Sequence, residues 1–425
     1  MSSDRVMPVH YWDSTLSENG NLDYHAPAYV NGKRVLFLFT HETLDISINQ
    51  HPRASRFRAA PNVNAPRIQC REEDWKDFIF APGDPRFLED YLYSDRPILG
   101  FRMITFTGAT LLTMSWPHII FDARLRPTEK YMHADKQIGI RQMIILGLRY
   151  IYHMLQDPKS KKSGRTMFVP AIFMQHLKDK ARSELKDLGA DNQVPFISEG
   201  DILTAWWAQQ LARAQLKPSN RQVALYNVFG LRGRLGEDLL PPDRVYVGNS
   251  FCMIPAFMTA RDILMKPLGF VAAAIRKAYM DLSARDQVEA LLGLSRKAQD
   301  KGTFASFGDP WMHMIICSNW AKADLFNIDL YGALTRCPRG SMIGAGKPSF
   351  LQAQYFYKGF AVVSDFIVMG KDVKGNTCLC SYLQERDWVI INKMHEDVVS
   401  RGDSQFSLSP WCTIVPIYVG YYYDF

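Results

Sequence analysis

Strand-like and helix-like segments mix along this chain without the strict alternation that marks a doubly wound or barrel fold. Short β-rich stretches dominate up to about residue 120, at 34–40, 98–107 and 109–116. Helical periodicity then follows over 135–157, 171–190, 196–214, 262–282 and 286–300, a strand running into a turn interrupts it at 222–235, and strands return from 311 until a helical stretch at 385–399. This order favours an α/β fold in which helices flank mixed sheets.

The chain has 425 residues, more than one ordinary hydrophobic core organises, so we expect two domains. The segment with the weakest helix and strand signals is LGADNQVPF at 188–196, which is the candidate linker. It is followed by a helix start signal, in which Ser198 is the N-cap and Asp201 stands three residues later. We therefore predict an N-terminal half over 1–193 and a C-terminal half over 194–425.

Charge and cysteine usage exclude several classes of protein. Fifty Lys and Arg against 43 Asp and Glu give a net charge of +7. The densest basic cluster, PKSKKSGR at 158–165, has no interleaved aromatic residues, which argues against a nucleic-acid groove and favours an exposed loop, with a contact to a phosphorylated cofactor as the alternative. The seven cysteines are scattered without CxxC spacing, which indicates neither a disulfide framework nor a metal site and fits a reducing, cytoplasmic compartment.

Partners and location follow from similar observations. The most apolar helical stretch, at 142–155, is too short to span a bilayer and carries Arg149 and His153. We expect a cytoplasmic monomer that acts on small molecules, with no nucleic-acid partner, no membrane span and no bound metal.

The stretch TMSWPHIIFDA at 113–123 carries the candidate chemistry. Pro117 has no N–H and keeps Trp116 extended, so a strand must end here, and His118 follows it. A histidine held at a strand end can accept a proton near neutral pH, and Asp122 could fix the loop around it. The spacing His-x-x-x-Asp is weak evidence by itself, because it also occurs as HETLD at 41–45 and as HMLQD at 153–157. From these residues alone a structural histidine stays the stronger interpretation.

The stretch at 113–123 resembles the active-site motif of the BAHD-type, CoA-dependent acyltransferases. Further stretches resemble that family in the same order. They are VMPVHYWD at 6–13, ISEGDILTAWWAQQLARA at 197–214, YNVFGLRGRLGEDLLPPDRVYVGNS at 226–250, CSNWAKADLFNIDLYGA at 317–333 and CLCSYLQERDW at 378–388. Two stretches, NGNLDYHAP at 19–27 and DYLYSDRP at 90–97, look like its fungal secondary-metabolite branch. The resemblance covers nearly the whole chain, and the ordered set is far more specific than any single motif.

The resemblance implies a chloramphenicol-acetyltransferase-like fold, with two domains around a channel. It implies that His118 is the general base and that Asp122 has a structural role beside it. An acyl group, acetyl first among the candidates, would pass directly from the CoA co-substrate to a hydroxyl of a hydrophobic metabolite, without an acyl-enzyme. By motif position Ser318, Asn319 and Trp320 are candidates for oxyanion stabilisation or substrate positioning. The same motifs give architectural roles to three residues, Asn249, Asp329 and Gly332.

Three departures from the family pattern keep other functions open. The segment DLYGA at 329–333 stands where the family has Asp-Phe-Gly-Trp-Gly. Only a short segment, with Leu16 and Ser17 in it, stands between two motifs that the family separates by a strand and a helix, and Arg124 follows Ala123 where the family has a helix and a loop. Loss of buried elements costs more than the few kcal/mol by which domains are stable. A shortened, inactive member, or one that performs a CoA-independent cyclisation, is therefore the alternative.

Overall fold

The computed structural model describes residues 29–30, 33–34, 38–57, 65–84, 90, 99–116, 129–156, 162–188, 195–231, 251–301, 303–330, 346–357, 364–400 and 417–423. The strands in these ranges are β1 (Tyr29–Val30), β2 (Lys33–Arg34), β3 (Leu38–Ser47), β4 (Arg67–Arg71), β5 (Gly100–Thr107), β6 (Ala109–Ser115), β7 (Lys162–Val169), β8 (Gln222–Gly230), β9 (Phe251–Thr259), β10 (His313–Asn319), β11 (Gln352–Tyr357), β12 (Ser364–Lys371), β13 (Thr377–Gln384) and β14 (Ile417–Tyr423). The helices are α1 (Glu72–Trp75), α2 (Ile140–Gln156), α3 (Ala171–Leu188), α4 (Glu199–Gln215), α5 (Ala260–Met265), α6 (Leu268–Leu282), α7 (Arg285–Gln299) and α8 (Glu385–Ser400).

Two mixed sheets form the framework. The larger has seven strands in the order β4-β7-β13-β12-β10-β8-β9, and β8, β10 and β12 run parallel at its centre. The smaller has the order β11-β14-β6-β5-β3, in which only β5 and β6 pair antiparallel. This architecture confirms the predicted α/β class with mixed sheets flanked by helices.

Both sheets draw strands from each side of residue 193. In the larger sheet β7 pairs with β13, and in the smaller one β6 pairs with β14. Pairings of such long sequence separation tie the two halves of the chain together. The predicted domain boundary at 193–194 therefore does not separate the two sheets, and it stays a prediction.

Helix α4 lies at the centre of the larger core. Its Ser198 Oγ accepts from the Asp201 N–H at 3.2 Å, and the Asp201 carboxylate accepts from the Ser198 N–H at 2.7 Å, which is the predicted capping box. Twelve of its 17 residues are buried, among them Trp206 and Trp207. The helix is therefore covered almost all round by neighbouring helices and the seven-stranded sheet.

The single helix predicted over 262–282 is two helices in the structure. The apolar periodicity over 262–282 predicted a single helix, but α5 ends at Met265 and α6 begins at Leu268. Pro267 is the reason, because it has no N–H and keeps Lys266 extended, at φ −82° and ψ 153°.

A second core cluster lies between the two sheets. Ile104, Phe106 and Leu111 of the smaller sheet pack in one cluster with Phe168 and Ile367 of the larger one. None of the helices in the described ranges is both long and apolar enough to cross a bilayer.

Candidate active site

The candidate site starts at one edge of the larger sheet, where the three parallel strands end. Strands β8, β10 and β12 end at Gly230, Asn319 and Lys371, and Asn319 lies beside Val368 in register. The carboxyl ends of parallel strands share one edge, and loops that follow them commonly build ligand sites. Ser318 and Asn319, which the sequence selected, lie at this edge.

Ser318 and Trp320 form one unit. The Trp320 indole N–H donates to Ser318 Oγ at 2.8 Å, and the Trp320 backbone N–H donates to the Val368 carbonyl at 2.8 Å. Both N–H groups of Trp320 are thus used inside the fold, whereas the Ser318 hydroxyl keeps its own proton to donate. Ser318 is buried, so a group that reached it would meet little water. These two hydrogen bonds of Trp320 hold the Ser318 side chain in a fixed orientation.

Asn319 lies at the beginning of α4. Its Oδ1 accepts from the Ala321 N–H at 3.0 Å, which turns the chain after β10. Its Nδ2 is so near Gly200 that a Cβ added there would lie 3.0 Å from it. A glycine at position 200 therefore lets the amide of Asn319 approach the first turn of the helix.

Charged side chains collect beside Asn319. Glu199, the first residue of α4, accepts from Lys371 Nζ at 2.6 Å and from Lys178 Nζ at 3.4 Å. One carboxylate between two ammonium groups leaves an excess of positive charge at the edge. Neither lysine is recognisable from the sequence as part of the site, because both stand far from Glu199 along the chain and carry no local motif.

The segment after β10 has a fixed path. Phe326 is buried, and its ring lies beside Gly370, whose φ of +129° is a backbone conformation that other residues rarely adopt. Asp324 adopts a left-handed conformation at φ 51° and accepts from Asn327 Nδ2 at 2.7 Å. This path leads to Asp329, which is exposed, so the architectural role implied for Asp329 stays a prediction. Gly332 and Asn249 lie outside the described residues.

The predicted catalytic motif begins at the end of β6. The strand ends at Ser115, as Pro117 predicted, and Ser115 pairs with Gly100 of β5 and Gly420 of β14. His118 and Asp122 lie outside the described residues. Met114, one residue before the end of β6, packs against the same core cluster as Trp320. The described parts of the two motifs thus border a common core.

The fold excludes His41 and Asp45 of HETLD as a catalytic His–Asp pair. The strand predicted over 34–40 ends just before HETLD, but in the structure HETLD lies inside β3. Residues four apart in a strand are separated by about 13 Å, so His41 and Asp45 do not contact each other. His41 instead forms a hydrogen bond of 3.1 Å with Thr105 Oγ1. His153 of the other pair lies in α2, in agreement with the predicted helix.

The thiol next to the site is unsuited to nucleophilic catalysis. Burial raises the pKa of the Cys317 thiol to about 12, and its sulfur lies 3.3 Å from Thr204 Oγ1. A thiol with such a pKa carries almost no thiolate near neutral pH. This edge of the sheet can offer a hydroxyl, an amide and ammonium groups, which suit a carbonyl oxygen or an anion better than they suit covalent chemistry.

Known proteins resemble this chain over most of its length. The acetyltransferase sphE of Aspergillus fumigatus is 31% identical over 429 aligned positions, which cover 88% of this chain and 83% of that protein. The chain belongs to the BAHD-type family of CoA-dependent acyltransferases. Within that family it belongs to the fungal secondary-metabolite acetyltransferases, since adrJ of Penicillium rubens is also 29% identical, over 89% of this chain and 84% of that protein. No protein-family model matches the chain.

A solved structure shows the same fold. TRI101 of F. sporotrichioides, crystallised with Coenzyme A and T-2, superposes on this acyltransferase with a TM-score of 0.54. The superposition covers 83% of this chain and 78% of that one, at 17% sequence identity. It confirms the chloramphenicol-acetyltransferase-like fold that the ordered motifs predicted.

Proposed function

We propose that this chain transfers an acyl group, acetyl first among the candidates, from a CoA thioester to a hydroxyl of a hydrophobic metabolite. The observation that carries the proposal is the similarity to a fungal acetyltransferase along 88% of the chain. The aromatic content supports an apolar acceptor site, because aromatic side chains dominate the lining of such pockets. The acyl donor is a substrate here and not a resident cofactor.

His118 acts as the general base in this proposal. It accepts the proton of the acceptor hydroxyl while that oxygen attacks the thioester carbonyl carbon, which forms a tetrahedral oxyanion. Collapse of the oxyanion breaks the carbon–sulfur bond, and the leaving CoA thiolate takes up the proton that His118 holds. What supports His118 is its position three residues after β6, a rigid strand in the middle of its sheet. Asp122 orients the loop that carries it.

Ser318 and Asn319 are the proposed donors to the oxyanion. The Ser318 hydroxyl has a proton to donate because its oxygen already accepts from Trp320. The Asn319 amide supplies a second N–H group beside α4. Preorganised donors of this kind stabilise the transition state without any reorganisation during the reaction. Trp320 contributes by holding Ser318 in place.

The test is an acyl-transfer assay with purified protein, acetyl-CoA and a panel of terpenoid and polyketide alcohols, with CoA release and product mass as readouts. His118→Ala should lower kcat about 10²–10⁴-fold, the usual contribution of a general base. Ser318→Ala should lower kcat about 10²-fold, the usual cost of losing one oxyanion donor. His41→Ala is the matched control and should leave the rate unchanged, since His41 lies on β3 and forms a hydrogen bond with Thr105 of β5. Equal activity of His118→Ala and His41→Ala would refute the role of His118.

A second candidate is a member of the family without acyltransferase activity. The bridging of motifs at Leu16–Ser17 and Ala123–Arg124 favours it, and so does the exposure of Phe39 and Ile46 on β3, which are 51% and 39% exposed. The same assay decides between the two: no CoA release with any acceptor, and no change in His118→Ala, would support it. Product formation without CoA would instead identify a cyclisation. The mass of the protein from its native source, compared with 48.7 kDa, tests whether the two segments are absent in the cell.

A further inference from the structure

The first turn of α4 lies against the end of β10. Gly200 is the second residue of α4, and a Cβ added to it would lie 3.0 Å from Asn319 Nδ2. This distance is tighter than ordinary van der Waals contact, which begins at 3.4 Å. Either the residue at position 200 has no side chain, as here, or the amide of Asn319 has to move.

The backbone of Gly200 does not itself require glycine. The residue is helical and its φ is not positive, so its conformation is one that every L-amino acid adopts. Glycine is also a poorer helix former than alanine, so alanine at this position would favour the helix if there were space for it. The proximity of Asn319 is therefore what favours a glycine here.

The residue before Gly200 ties the turn to two other elements. Glu199 accepts from Lys371 Nζ at 2.6 Å and from Lys178 Nζ at 3.4 Å. Lys371 is the last residue of β12, the strand that pairs with β10, and Lys178 lies on α3. One carboxylate with two ammonium partners is restrained from two directions, so it fixes the turn relative to this edge of the sheet.

The residue after Gly200 is held by an ion pair with little exposure to water. Asp201 contacts Arg276 of α6 at 2.6 Å, and the two side chains are 10% and 18% exposed. The Arg276 guanidinium also lies over the rings of Phe196 and Tyr279, 5.3 and 5.2 Å from their centroids. A Cβ added between these two anchors would therefore belong to a turn that cannot retreat, and the amide of Asn319 would have to give way.

The amide of Asn319 is oriented from its other end. Its Oδ1 accepts from the Ala321 N–H at 3.0 Å, so Nδ2 is the atom that faces Gly200. The backbone of Asn319 is fixed as well, because it pairs in register with Val368 of β12. A Cβ at position 200 would displace Nδ2 by a few tenths of an ångström and change the direction of its N–H groups.

We infer that Gly200 is a positioning residue for acyl transfer, because its lack of a side chain lets the first turn of α4 set the place of the Asn319 amide. The inference rests on the proposed function, in which this amide donates to the oxyanion. Donors to a transition state have to be held within about 0.5 Å of the productive geometry. A displaced Nδ2 therefore costs transition-state stabilisation and leaves substrate binding nearly intact.

The first test is kinetic. Gly200→Ala should lower kcat about 10-fold and change the KM for acetyl-CoA less than about 2-fold, since misplacement by a fraction of an ångström costs less than the about 10²-fold of a lost donor. Gly147→Ala is the matched control, because Gly147 is also helical and has no atom within 4 Å of an added Cβ, and it should keep kcat. An unchanged kcat in Gly200→Ala, or a raised KM alone, would overturn the inference.

Thermal unfolding separates positioning from a general loss of packing. Alanine favours a helix over glycine, so Gly200→Ala should keep or raise the Tm while kcat falls. A Tm that falls together with kcat would show a structural role and overturn the inference.

A double variant tests whether Gly200 acts through Asn319. In the background of Asn319→Ala, Gly200→Ala should cause no further loss of kcat, since the amide that the Cβ would displace is gone. Losses that multiply in the double variant would show that the two residues act independently, which would overturn the inference.

A last readout does not use catalysis. In protein labelled with ¹⁵N-asparagine, the side-chain amide signal of Asn319, assigned by its absence in Asn319→Ala, should shift in Gly200→Ala and stay in place in Gly147→Ala. An unshifted signal in Gly200→Ala would overturn the inference even if the unaltered chain transfers acetyl groups. No CoA release by the unaltered chain would instead refute the proposed function, and the positioning role with it.

Discussion

Helices α2 and α4 both have 17 residues, and both carry large apolar side chains, yet the fold treats them in opposite ways. In α4, Trp207 is fully buried against Trp388 and Phe366. In α2, the apolar side faces solvent while Arg149 is directed inward. The comparison shows that an apolar helix face does not by itself determine which side of the helix packs against the rest of the fold.

The largest expected contrast between the two helices is in core packing. Trp207→Ala should lower the free energy of unfolding by about 4 kcal/mol, because it leaves a large cavity that the surrounding side chains can only partly fill. Ile144→Ala on α2 should change it by less than about 0.5 kcal/mol, since its side chain is 58% exposed. Urea unfolding at submicromolar protein measures both. Equal losses in the two variants would contradict the contrast between the helices.

A second prediction concerns pH and the α4 side of the molecule. His395 on α8 stacks on Trp206 at 5.8 Å, and burial lowers its pKa to about 4. Its two ring nitrogens have no hydrogen-bond partner among the described residues. Because the folded pKa lies below the unfolded value of about 6.5, stability is complete above pH 6.5 and falls as the pH drops from 6.5 to about 4, by about 3 kcal/mol in total.

His395→Phe tests this origin of the pH dependence. It keeps an aromatic ring against Trp206 and should remove most of the loss between pH 6.5 and 4, as measured by urea unfolding at several pH values. His41→Gln serves as the control and should keep the loss, because His41 is exposed. If His395→Phe loses as much stability on acidification as the unaltered chain, other groups cause the effect.

A smaller contrast is expected where the two helices begin. Asp201 accepts from Ser198 and forms an ion pair with Arg276 at 2.6 Å, both largely buried. Asp201→Ala should therefore destabilise the protein by about 2–3 kcal/mol, through the lost cap and the unpaired Arg276. Gln142 on α2 accepts from the Gly139 N–H, at an exposed site, so Gln142→Ala should cost about 0.5 kcal/mol. Thermal unfolding of both variants measures the two losses of stability. A larger loss in Gln142→Ala than in Asp201→Ala would contradict the prediction.

Local features of the fold were accessible from the sequence. The capping box at Ser198 was predicted correctly because its two partners are three residues apart. The end of β6 was predicted correctly because Pro117 acts on its immediate neighbours. The break at Pro267 carried the same signal, but the apolar periodicity on both sides of it suggested one continuous helix.

Features that join distant segments were not accessible in this way. The strand predicted over 34–40 stops before HETLD, whereas β3 includes it, because the length of β3 is set by its pairing with β5, some 60 residues away. The contact of Asn319 with Gly200 and the ion pairs of Glu199 likewise join separate elements. The candidate residues Ser318, Asn319 and Trp320 came from motif position, while their hydrogen bonds came from the structure.

The sequence by itself determined the α/β class, the positions of most helices and strands, the capping of α4 and, through its ordered motifs, the acyltransferase family. These depend on periodicity, proline and short-range hydrogen bonds, which act over a few residues. Only the tertiary structure decided which strands pair across the two halves, that Trp320 holds Ser318, and that the apolar side of α2 faces outward. The strand pairs and the outward side of α2 depend on contacts between segments a hundred or more residues apart, and in α2 the buried Arg149 and its two carbonyl partners set which side of the helix meets solvent. Trp320 and Ser318 are only two residues apart, but the backbone bond from Trp320 to Val368 on the neighbouring strand fixes the turn that brings their side chains together.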